Sequence, residues 1–131
     1  MAELGFIWWQ AGMLAASADC KLELGRADEA EADAREGLVL TTEIWDRRAT
    51  VYLLTLFAWA AAVRGDVRRA GQLWGAVEAE AGRAPVGQWE AERELYAGRV
   101  LTAAGPELTR AREEGRRWSL ERAVEEALAA S

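Results

Sequence analysis

The sequence predicts an all-α fold, a right-handed stack of antiparallel helix hairpins with about seven helices. Three observations predict it. Apolar residues recur at three- and four-residue steps through most of the chain, glycines separate the periodic stretches, and a shift of 40 residues lays one glycine-centred corner over another. No segment reads as a strand.

In the first stretch Leu4, Ile7, Trp8, Ala11, Leu14, Ala15, Ala18 and Leu22 share one helical face, so residues 3–24 are expected to be helix. Phe6, Trp9, Met13 and Cys20 add a second apolar stripe, which predicts neighbours on more than one side. Gly25 is a helix stop, because glycine enters the left-handed region without a Cβ clash. A second helix begins near Ala27, with Ala30, Ala34, Leu38 and Ile44 inward and Glu29, Glu31, Asp33, Arg35 and Glu36 solvated. Asp46 is placed to cap the third helix, Arg47 to Arg64, which is apolar nearly all round and is expected at the centre.

Gly65 and Asp66 repeat the stop-and-restart signal before a fourth helix carrying Val67, Ala70, Leu73, Trp74, Val77 and Ala81 inward. Gly82 to Gly87 reads as the clearest break. Trp89, Leu95, Tyr96 and Val100 predict a fifth helix ending before Gly105-Pro106, and Pro106 opens a short sixth that Gly115 is expected to end. Ser119 caps a last helix with Leu120, Ala123, Val124, Ala127 and Leu128 inward. Residues 1–82 are thus expected to form two hairpins, and 83–131 a C-terminal helical capping segment of the same domain.

Composition narrows the function classes. With 16 basic against 22 acidic residues the net charge is -6, which opposes attraction to phosphate backbones and anionic lipid, so neither direct nucleic-acid nor membrane binding is expected. The apolar run Ala49–Val63 is shorter than the roughly 20 residues a bilayer span needs. Nothing at the start reads as a secretion signal, and Cys20 is the one cysteine, so a reducing cytoplasm is the expected setting.

The chain has no histidine, which removes the commonest general base and the usual imidazole metal ligand. No catalytic residue, cofactor or metal is therefore nominated, and the chain is expected not to be an enzyme. Glu78, Glu80, Glu90, Glu92 and Glu94 lie on helices among arginines and read as solvated faces with local ion pairs. Cys20, without a histidine partner, reads as a buried structural thiol, and the Gly71/Gly75 step as a site of close helix packing.

Seven tryptophans are present, most of them expected in the core. Trp8 and Trp9 point roughly 100° apart on a helix, so one of them, with Trp9 the candidate, is expected to be an exposed anchor for a partner. In stacked hairpins the first helices line the concave side, which directs Asp19, Tyr52 and Trp59 towards a partner surface. Arg116 and Arg117, with Arg110 and Arg112, form the densest basic cluster and are candidates for an acidic partner.

The repeat places Met13-Leu14 over Leu53-Leu54, Ala18 over Ala58, Gly25 over Gly65 and Ala30 over Ala70. A small residue, a glycine turn and an alanine in this order resemble the tetratricopeptide family, over residues 3–82, with a period longer than the usual value of about 34. Glu43–Arg48, Ala61–Ala70, Leu73–Glu78 and Trp118–Val124 are similar to the C-terminal helical region of actinobacterial MalT-like and antibiotic-regulatory transcriptional regulators, large signalling ATPases of the LuxR type. The ATPase and DNA-binding functions are not carried over, because no phosphate-binding glycine loop and no DNA-recognition unit is present. The resemblance implies the helical platform alone. The repeat and the missing catalytic residues lead to the expectation of a protein-binding or regulatory scaffold acting on a protein partner or on neighbouring domains, and the apolar first helix makes a homodimer through exposed terminal helices one arrangement. The alternative is effector sensing, a small apolar molecule entering a tryptophan-lined gap.

Overall fold

The computed structural model describes residues 2–102 and 105–129. The side chains of residues 2–4 and of Gln88 lie outside that description, so Leu4 of the first stripe is not placed. Among the described residues there are seven helices and no strand: α1 (Ala2–Glu23), α2 (Ala27–Glu43), α3 (Arg47–Val63), α4 (Val67–Arg83), α5 (Gln88–Val100), α6 (Pro106–Arg116) and α7 (Leu120–Ala129).

The first three corners are built alike. An amide beyond each helix returns to a carbonyl five residues back, Arg26 to Lys21 at 2.8 Å, Asp46 to Thr41 at 3.1 Å and Asp66 to Ala61 at 2.9 Å. The closure needs a left-handed residue just before that amide, and Gly25 (φ 77°), Trp45 (φ 55°) and Gly65 (φ 80°) supply it at 20-residue intervals. Glycine takes this conformation freely, whereas for a residue with a Cβ it costs about 1–2 kcal/mol. Asp46 and Asp66 then cap the next helix, accepting from the amides of Ala49 at 3.1 Å and Arg69 at 3.2 Å. Ser119 does the same for α7, accepting from Arg122 N at 3.0 Å.

Short corners make α1 to α4 successive antiparallel neighbours, with α3 against α1, α2, α4 and α5. The expected central helix is central: Thr50, Val51 and every residue from Leu53 to Ala61 are buried, and Phe57, Leu54 and Leu56 join Leu38, Leu73, Trp74 and Val77 in one core. Two hydroxyls on α3 stay satisfied inside that apolar mass. Thr55 donates to Val51 O at 2.9 Å and accepts from the Trp89 indole N–H at 2.8 Å, while Thr50 donates to Asp46 O at 2.7 Å.

The C-terminal helices do not form a third hairpin. α5 packs on α3, but α6 crosses to the far side of α4, and α7 lies against α2, α3 and α4. Arg35 on α2 donates to Leu128 O at 2.6 Å and Arg69 on α4 to Ala127 O at 3.1 Å, so both helices cap the carboxyl end of α7. The α4–α6 crossing depends on missing side chains. A Cβ on Gly115 would run into Gln72 O, one on Gly75 into Arg112 O, and one on Gly71 would lie 2.8 Å from Ala111 Cβ.

Four details of α1, α4 and α6 differ from the sequence expectation. α4 runs through Gly82 to Arg83, and Gly115 lies inside α6, kept there by its close approach to α4 and not as a stop. Cys20 is exposed, not buried, because the outer stripe of α1 on which it sits is covered by no other element. Both Trp8 and Trp9 are exposed, at 61% and 57%, Trp9 on that outer stripe and Trp8 beside the groove shared with α3 and α5.

Candidate functional site

One side of the molecule is formed by α1, α3 and α5, and there the candidates Asp19, Tyr52 and Trp59 come together. The Tyr52 hydroxyl donates to Asp19 Oδ2 at 2.7 Å, and the Tyr96 hydroxyl on α5 donates to the same oxygen at 2.9 Å. Tyr96 lies 6.1 Å from the Tyr52 ring and 6.3 Å from Trp59, which is only 6% exposed. Arg99 stacks over Trp59 at 4.4 Å and pairs with Glu23 at 2.9 Å, with Asp19 at 3.9 Å. Burial, then the neighbouring Asp19 carboxylate, pushes the Tyr52 phenol well above its ordinary value. For Tyr96 burial acts first and Tyr52 and Asp19 add to it, again upward. This cluster joins three helices, and α5 covers what the repeat alone would leave open. Tyr96 and Arg99 were not nominated from sequence, since nothing in their spacing signals a bond to α1.

Beside the cluster a groove of about 610 Å³ runs between the three helices, lined by Trp8, Arg48, Tyr52, Trp89 and Glu92 among others. Asp46 and Ala49 at the start of α3, and Val86 and Gly87 ahead of α5, complete its lining.

The arginine candidates divide. Arg112 binds Glu78 at 2.8 Å, Arg116 reaches the same carboxylate at 3.2 Å and Arg93 at 3.4 Å, leaving the Glu78 side chain only 8% exposed. Arg116 is thereby tied to its own fold, while Arg117 is exposed at the end of α6. Glu80 is likewise enclosed: burial alone would raise its carboxyl, but hydrogen bonds from Arg47 and Arg83 outweigh that and hold it below the ordinary value. Glu78 and Glu80 are therefore buried anchors and not the solvated face expected of them.

Trp9 has a different setting. It stands on the outer side of α1 with Phe6, 6.4 Å away, and with Met13, and all three are more than half exposed. Phe6, Trp9, Met13, Ala16 and Cys20 alternate steps of three and four residues, the spacing of a helix-pairing seam. The opposite side of the same helix buries Ala11, Ala15, Ala18 and Leu22 at the same steps.

Among the described residues no group of His, Cys, Asp or Glu side chains has an arrangement fit to hold a metal, and no helix is long and apolar enough to cross a membrane. No family model, curated protein or solved structure matches the chain. What stands is an all-α, seven-helix fold among the described residues, with one face of α1 uncovered.

Proposed function

We propose that the chain is a non-catalytic, tetratricopeptide-like interaction and regulatory scaffold, a right-handed helical stack of the kind found in the C-terminal region of bacterial transcriptional regulators, working in the cytoplasm. Its docking face is the outer side of α1. The observation that carries this reading is the fate of the same face one repeat later. Trp9, Met13, Ala16 and Cys20 correspond, 40 residues on, to Ala49, Leu53, Leu56 and Ala60. Leu53, Leu56 and Ala60 are completely buried, and Leu53 lies against Gly37 of α2, where a Cβ would come within 3.2 Å of it. A face that the second hairpin seals with a preceding hairpin is open on the first, so its occupant is another helical hairpin, from a neighbouring domain or a partner protein. Large exposed apolar patches of this kind mark interaction sites. The similarity of Glu43–Arg48 and Trp118–Val124 to those regulators supports the same assignment.

Cys20 lies at the end of the seam and is exposed, which makes the test direct. A photocrosslinker attached to Cys20 should capture the partner in cells, and Trp9→Glu should abolish the adduct while the circular dichroism spectrum is unchanged. Undiminished crosslinking by a folded Trp9→Glu protein would rule this face out.

A further inference from the structure

Trp45 is the residue the fold explains least. It occupies the left-handed corner position that Gly25 and Gly65 hold in the equivalent turns, and its side chain is among the most solvent-exposed in the chain, at 83%. Bulky residues avoid this backbone region, and exposing an indole to water is unfavourable as well. Glycine would serve the corner better on both counts. Among the described residues the ring has no aromatic or cation partner that would offset the penalty.

The ring stands at the mouth of a cleft of about 220 Å³ between the α2–α3 corner and the first turn of α7. Thr41, Thr42, Thr50, Leu120 and Val124 line it. All three threonine hydroxyls are already engaged, Thr41 with Leu38 O at 3.1 Å, Thr42 with Val39 O at 2.8 Å and Thr50 with Asp46 O at 2.7 Å. The hydroxyl proton of each is therefore spent within the fold, and none is left to donate to a ligand. Arg47, at the edge, spends its guanidinium on Glu80 and on the Ala84 and Pro85 carbonyls, and Glu121 at the rim is exposed. Among the described residues that line the cleft, no other cation is present to hold an anionic ligand.

We infer that this cleft binds a small, neutral aromatic molecule, with Trp45 stacking on it from the open side. The size follows from volume: an apolar cavity of roughly 150 Å³ accommodates benzene, so the larger cleft suits a fused two-ring system. Offset stacking on Trp45 would return to the strained corner what the empty fold does not. The site is separate from the α1 docking face, and loss of either reading leaves the other standing.

Indole is the probe, titrated into the whole ¹⁵N-labelled chain and followed by amide chemical shifts. Saturable shifts confined to the α2–α3 corner and the first turn of α7 are the expected result, with indole-3-acetate bound at least about tenfold more weakly because its carboxylate finds no cation. Trp45→Gly should weaken indole by at least about tenfold and raise the melting temperature, since the corner then matches its two counterparts. Absence of saturation, shifts centred instead on the Trp8–Trp89 groove, equal affinity for the acetate, or a lowered melting temperature for Trp45→Gly would each overturn the proposal.

Discussion

Tyr96 donates its hydroxyl to Asp19 across 77 residues of sequence, at 2.9 Å, and shares the accepting oxygen with Tyr52. One carboxylate oxygen thereby fastens α5 to α1 and α3. The pair explains why α5 stays in the first-helix layer although α6 departs to another face.

Tyr96→Phe keeps the ring against Trp59 and Tyr52 but removes one of the two hydroxyls on a carboxylate. Hydrogen bonds to charged groups contribute about 1.5–3 kcal/mol, and the remaining Tyr52 bond places the expected loss at the low end. Urea unfolding followed at 222 nm measures it. A loss below about 0.5 kcal/mol would show that the α1–α5 junction rests on ring packing alone.

Both tyrosines of the chain are in this cluster, and both phenols are held above their ordinary value of 10.0, chiefly by burial, with the Asp19 carboxylate adding to it in each case. A folded-state value that is raised confers stability that is complete below the unfolded value and lost as pH rises past it. The native protein should therefore show almost no tyrosinate absorbance at 295 nm just above pH 10, and the band should appear together with loss of helix. Early, gradual ionisation in a protein that is still folded would contradict the geometry.

Gly115→Ala separates propensity from packing. In an exposed helix the change would stabilise by about 1 kcal/mol, because alanine is the better helix former. Here the new Cβ meets Gln72 O of α4, so the sign should reverse, with a loss of about 3 kcal/mol. Hydrogen exchange localises the effect: amides of α6 should lose protection first.

On the acid side Glu80 is the sensitive group. Its carboxyl is held below the ordinary 4.5: burial pushes it up, and the hydrogen bonds from Arg47 and Arg83 push it down further. The stability it provides is present above that ordinary value and is lost as pH falls through the depressed one. Asp33, buried in part but bonded by Lys21 and Ser17, shifts in the same direction. Glu80→Gln should flatten the decline in unfolding free energy below about pH 4.5, measured by urea titration down to about pH 3. An unchanged acid limb would mean that other carboxylates govern it.

Much of the fold is legible in the sequence because helices announce themselves locally. The 3.6-residue period, Gly25, Gly65, Asp46 and Ser119 place six of the helix ends within a residue or two. Trp45 escaped notice for a definite reason: a corner sought by its glycine is missed when a tryptophan stands there, although Gly25 and Gly65 bracket it at equal distances. Cys20 was misplaced because periodicity reports that a stripe is apolar, not whether anything covers it. The Asp19–Tyr96 bond and the Glu78 arginines are long-range polar pairings, and these depend on how elements dock and have no short-range sequence signature.

The grip of Arg35 and Arg69 on the end of α7 has a consequence for synthesis. A solenoid with free ends can settle its first repeat while later ones are still unmade. In this chain Arg35 must wait for Leu128, 93 residues downstream, before its last bond can form. During translation the first hairpin therefore reaches its final state only after α7 has been made and has docked against α2 and α4.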